Sequence, residues 1–171
     1  MHALIFATAA AAALGAADPS SRPVTSAPAA QVELDRILGE VNSRIITETD
    51  VRQARALQLV DDVSSEASAR RALEERILVL GEITRSAPVV VTDADLEGRR
   101  TAWETRVGGA DRARAMLAGA GMSEAALQTW LRDDARIQAY LKRQFGVVPD
   151  ADRSRATSDW LLRLRQRAGL K

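Results

Sequence analysis

Residues able to carry proton or group transfer are scarce in this 171-residue chain. It has no cysteine, and its single histidine is His2, at the edge of a leading apolar stretch. Disulfides, thiolate metal sites and cysteine nucleophiles are therefore excluded. Serine–histidine–acid sets and most zinc sites lack their central residue. A serine–lysine pair would need Lys142 or Lys171, both in predicted exposed helical ends. Asp61-Asp62 and Asp133-Asp134 are adjacent carboxylates, and sequence neighbours on a helix point apart. They read as solvated or capping charges rather than an acid–base pair. Gly108-Gly109 and Gly119-x-Gly121 have no preceding strand, no following Lys-Ser or Lys-Thr, and no six-residue glycine fingerprint, so they read as helix punctuation. No catalytic set, metal-ligand set or cofactor motif emerges, and an enzyme is not predicted.

The apolar residues carry a different signal. Trp103, Met116, Leu117, Met122 and Trp130 gather around a short glycine-flanked segment. Methionine adapts its shape and tryptophan offers a broad face, a pairing suited to gripping varied apolar segments. Two readings stand side by side: ordinary core residues between two helices, or a cleft for unfolded chains.

The elements that would position these residues follow from periodicity and caps. Ile37-Leu38 with Val41, then Ile45-Ile46, flank Asn42-Ser43, the spacing of a small β-hairpin. Thr47 to Asp50 forms a Thr-x-x-acid start, predicting a helix over about 48–59 along Val51, Ala54 or Arg55, Gln58 and Leu59. A second helix over about 65–85 carries Leu73, Ile77, Leu80 and Thr84, with Arg70, Glu74 and Glu75 on the wetter side. Pro88 ends it, and Val89-Val90-Val91 crosses in extended form. Thr92 to Asp95 opens a third helix reaching about Arg106, Gly108-Gly109 stops it, and a short fourth spans about 111–118. Ser123-Glu124 opens a long fifth helix to about Phe145, the predicted spine, with Gly146 as its cap. From about Asp152 a basic amphipathic helix shows Trp160, Leu161, Leu164 and Ala168 at helical spacing. Docking on the core is the preferred reading. Contact with an anionic membrane surface is the lesser one, because an aromatic stripe this short is more often core.

Composition agrees with a mainly α chain. Hydrophobic residues make up 46% but aromatics only 4%, so alanine-rich, close-packed helices are favoured over a sheet core. Net charge is +1, which gives no electrostatic argument for nucleic acid. All the basic residues except Lys142 and Lys171 are arginine, which reads first as coding bias. Residues 1–17 carry an apolar run ended by Gly15-Ala16-Ala17, predicting an export signal cleaved near Ala17. That run is too short to span a bilayer as a helix. Residues 18–31, with Pro19, Pro23 and Pro28, read as a disordered linker, and residues 32–171 as one folded domain.

The run from Ile37 to Val51, with Val41-Asn42, Ile46 and Thr49-Asp50-Val51, resembles the opening of the N-terminal domain of SurA-type periplasmic chaperones. The order of the later pieces is also similar: Glu75-Arg76-Ile77-Leu78-x-Leu80, then Val89-x-Val91-Thr92-Asp93-Ala94-Asp95-Leu96, then Met122-Ser123-Glu124 before the Trp130 helix. The resemblance covers about residues 34–149, and Trp160-Leu161-Leu162-Arg163 looks like that family's closing helix. It implies a small hairpin followed by a multi-helix bundle closed by the C-terminal helix over 152–171. It further implies a periplasmic, ATP-independent chaperone that binds unfolded envelope or outer-membrane proteins through an apolar cleft. Many members include parvulin-type prolyl isomerase domains between the long helix and the last one. Here residues 147–152 alone separate the two, so isomerase activity is the alternative expectation rather than the leading one. A helical adaptor for one dedicated partner is another alternative, and nucleic acid is not an expected partner.

Overall fold

A computed structural model describes residues 35–86 and 88–170. The export signal and the linker predicted over residues 1–31 lie outside these described residues, as does Lys171. Among the described residues the chain is mainly helical, 70% helix, with a two-stranded antiparallel hairpin ahead of six helices. In chain order these are β1 (Ile37–Val41), β2 (Arg44–Thr47), α1 (Glu48–Ala56), α2 (Glu66–Arg85), α3 (Asp93–Val107), α4 (Ala110–Ala120), α5 (Glu124–Phe145) and α6 (Asp150–Arg167).

The hairpin turns where the polar pair predicted it. Asn42 and Ser43 both have positive φ, 50° and 60°, the requirement of a two-residue type I′ turn. Val41 and Ile46 point into the core, and the next helix starts without a loop. Thr47 caps α1: its hydroxyl accepts from the Asp50 N–H, while Asp50 accepts from the Thr47 N–H. Thr92 and Asp95 repeat that box at α3. α1 ends at Ala56, earlier than periodicity predicted, because Leu57 and Leu59 turn into the core. Gln58 between them takes φ 50°, and the Leu59 N–H returns to the Ala54 carbonyl at 2.9 Å.

Burial falls into two apolar clusters. One gathers the hairpin, α1, α2 and the closing helix around residues such as Val41, Ile46, Leu73, Ile83, Tyr140 and Leu164. The other gathers Leu57, Trp103, Val107, Leu117, Leu127 and Leu131. α5 gives Leu127 and Leu131 to the second and Ile137 and Tyr140 to the first, and Trp130 touches both. At 1.5 Å per residue it is about 33 Å long. It is the spine the sequence predicted. Gly146 ends it without left-handed backbone; a Cβ there would collide with the Lys142 carbonyl. Gly81 lets the hairpin lie close on α2, since a Cβ there would sit 2.8 Å from the Asn42 amide.

Several side chains depart from the helical-wheel expectation. Thr84 is exposed, and Ile83 takes the buried place on α2. Glu74, placed on the wet side by periodicity, is buried at 6% exposure because α6 lies over it. Arg165 of α6 is buried at 4% and meets it, while Ala168 of the predicted apolar stripe is exposed. The physical reason is pairing: the Arg165 guanidinium donates to the Glu74 carboxylate at 3.0 Å and approaches Glu75 at 3.8 Å. Arg70 closes on the other Glu74 oxygen at 3.0 Å. A buried charge tolerates its position when a partner of opposite sign is held there. α6 therefore docks through ions as well as through Leu164 and through Trp160, whose ring lies 6.0 Å from Tyr140 and 5.7 Å from Phe145.

Candidate functional site

The five residues expected to line a cleft do come together, but chiefly as core. Trp103 is 1% exposed, and its indole N–H donates to the Leu57 carbonyl at 2.8 Å. Leu117 is buried beside it. Met116 and Met122 are half-buried and pack on the same cluster. α4 is pinned there by Gln53, whose amide donates to the Ala120 carbonyl at 3.1 Å. Trp103 and Leu117 thus lie in the core between helices, the first of the two readings. Trp130 is the exception. Half-buried on α5, it lines an open cavity.

That cavity, of about 680 Å³, is a groove bounded by α2 and α3, both of which pack on α5. One face of α2 lines it, from Ser68 through Ala72 and Arg76 to Val79, at helical spacing. α3 supplies Arg99, Ala102 and Arg106. The floor is α5, with Trp130, Ile137 and Leu141, and Leu161 of the closing helix completes one wall. Asp61 and Asp62, in the turn after α1, stand exposed at its rim. Asp62 accepts from both the hydroxyl and the N–H of Ser64, which hold its carboxyl below the usual range.

Arg76 is the polar centre. Its guanidinium donates to the Trp130 carbonyl at 2.7 Å and lies 3.9 Å over that residue's ring, a cation–π stack. Burial lowers its pKa to about 10, against the pull of Asp134, so it remains a cation at neutral pH. Asp134, read from sequence as solvated, instead bridges α2 and α3 through Arg76 at 3.7 Å and Arg99 at 3.5 Å. Asp133 points elsewhere and pairs with Arg136 at 3.2 Å, so the adjacent carboxylates diverge as expected. Arg71 is paired with Glu75 at 3.1 Å. The groove is therefore apolar at its floor and charged, with both signs, along its walls.

A second, smaller cavity of about 200 Å³ lies among β2, α2 and α5. Arg76 and Trp130 line both cavities, while the other α2 residues differ: Leu73, Ile77 and Leu80 here, against Ala72, Glu75 and Val79 in the groove. The stacked pair forms a septum at the α2–α5 crossing. Sequence reasoning singled out Trp130 but missed Arg76, which follows Glu74-Glu75 directly before the apolar run from Ile77 to Leu80 and so read as part of the wet face. Leu161 was read only as part of a helix face. Among the described residues no three acidic or histidine side chains converge as a metal-ligand set, and no helix is long and apolar enough to cross a membrane. No family model, no curated protein and no solved structure matches the chain.

Proposed function

We propose that this protein is an exported, ATP-independent chaperone or folding factor of the SurA type, acting in the periplasm on unfolded envelope or outer-membrane proteins. The observation that supports it is the groove between α2 and α3, with an apolar floor at Trp130, Ile137 and Leu141 and charged walls. An extended client would lay apolar side chains along that floor while water and the wall charges accommodate its polar groups. Each 100 Å² of apolar client surface removed from water contributes about 2.5 kcal/mol, and association costs at least about 4 kcal/mol. Binding of this kind is weak enough to release clients. Nothing in the scheme alters a covalent bond, and isomerase chemistry is not part of it.

Light scattering by an unfolded outer-membrane protein on dilution from urea tests the proposal. Several-fold molar excess of the mature chain suppresses scattering, and Leu141→Glu, which puts a charge on the groove floor, abolishes the suppression. Leu162→Glu on the exposed face of α6 is the control and retains it. Scattering unchanged by the parent chain would falsify the chaperone reading. A proline-peptide assay returning only the uncatalysed rate separates it from an isomerase.

A further inference from the structure

The second cavity borders a strand with an open edge. Its floor is Leu73, Ile77, Leu80 and Trp130, and Ile45 of β2 stands at its rim with 54% of its surface exposed. Turn geometry decides which backbone groups face outward there. In a two-residue hairpin the closing pair, Val41 and Arg44, exchanges both its hydrogen bonds. The next pair, Glu40 and Ile45, is then non-hydrogen-bonded, with each N–H and C=O turned away from the other strand. The Thr47 N–H is taken by the Asp50 carboxylate at 2.8 Å. Ile45 thus holds one donor and one acceptor at the β2 edge.

The two edges of the hairpin are not equivalent. β1 carries a register shift between Ile37 and Gly39, and the Arg70 guanidinium lies against Gly39. A shifted strand with a charged group over it is blunted against pairing. β2 is regular, and its outward residue is isoleucine rather than the lysine or proline that protects an edge.

We propose that β2 takes up an extended segment of another polypeptide by strand addition. The residue opposite Ile45 exchanges both backbone hydrogen bonds with it. Its two neighbours then project on the Ile46 side, over Leu73, Ile77 and Leu80. A cavity of about 200 Å³ admits branched aliphatic side chains there, so the partner is a short stretch with valine, isoleucine or leucine on either side of the central residue. Apart from Arg76 and Trp130, which line both, this site shares with the groove only the extended nature of its partner. It lies across the Arg76–Trp130 septum from the groove.

Titrating the peptide acetyl-Lys-Val-Thr-Val-Lys-amide into 15N-labelled protein tests it, with the Ile45 and Ile46 amide signals as readout. N-methylating the central threonine removes the N–H that meets the Ile45 carbonyl and weakens binding about tenfold, whereas N-methylating the following valine, whose N–H faces away, changes it by less than about twofold. Equal effects from the two methylations overturn the proposal. So does the absence of any shift at Ile45, or a concentration-dependent dimer in sedimentation velocity without peptide, which would assign β2 to a second copy. Leu141→Glu, impaired in the groove, binds this probe as the parent chain does. Loss of probe binding in that variant would place the peptide in the groove and overturn the strand site, so the two sites fail separately.

Discussion

Glu74 sits between two guanidinium groups, Arg70 and Arg165, each at 3.0 Å, and it is enclosed by α6. The Arg70 arm is an i,i+4 pair whose guanidinium stays half-exposed to water. The Arg165 arm is different in kind, because both partners are buried. Substituting Glu74→Gln removes the buried carboxylate that faces the Arg165 guanidinium, and costs about 3 kcal/mol. Urea unfolding followed by circular dichroism measures it. The double variant Glu74→Leu with Arg165→Met removes both charges and recovers most of that loss, since apolar replacement of a buried pair is often neutral. If the double variant is as unstable as the single one, packing rather than charge governs this contact.

Among the elements, α3 shows how local chemistry fixes a groove wall. Its N-terminus is held by the Thr92–Asp95 box, and at its other end Gly108 takes φ 100° and closes the helix. Hydrogen bonds from the Thr92 side chain and N–H hold the Asp95 carboxyl below its usual range. A carboxyl whose folded pKa is lowered stabilises the fold above its unfolded value of 3.8 and loses that contribution as pH falls through the lower folded value. The protection factor of the Asp95 amide, which donates to the Thr92 hydroxyl, is therefore retained at neutral pH and falls only in strong acid. Thr92→Ala removes the cap, costs about 1 kcal/mol and brings the same loss of protection at neutral pH. An Asp95 amide unchanged in that variant would show that packing on α5 alone holds this end. Arg99 and Arg106 lie on the same helix, and Arg99 meets Asp134, so fraying at Thr92 also loosens the wall of the groove.

For the whole molecule, the closing helix is the element that joins distant parts. Trp160 meets Tyr140 and Phe145, Leu164 enters the first core cluster, Arg167 reaches Glu82 at 3.0 Å, and Leu161 walls the groove. A chain ending at Pro149 loses these together. Its α2 carboxylates lose Arg165 and Arg167, while the Trp103 cluster, which has no α6 residue, keeps its packing. The truncated chain is expected to bind an apolar fluorescent dye several-fold more strongly, with faster exchange over 73–83 and retained protection at Leu127 and Leu131. Uniform loss of protection along the chain would mean that the two clusters unfold as one unit.

Local chemistry carried most of the architecture. Positive-φ residues at Asn42-Ser43, Thr-x-x-acid boxes at Thr47 and Thr92, and glycine stops at Gly108 and Gly121 act over a few residues, so their effects are written in contiguous sequence. The spine role of α5 was legible for the same reason: an apolar face repeats along one helix. The site was legible only through Trp130. Whether Trp103 faces solvent or core depends on α1, α4 and α5 closing around it, and no spacing within α3 encodes that. Glu74 looked solvated because periodicity sees one helix, and its burial requires Arg165, 91 residues later, to supply the opposing charge. Arg76 could be buried because Trp130 offers both a ring face and a carbonyl, and Asp134 a carboxylate, from another helix. Caps and turns belong to the sequence by itself; which charges are buried and which apolar faces stay open were decided by tertiary packing, because burial is a property of the neighbours.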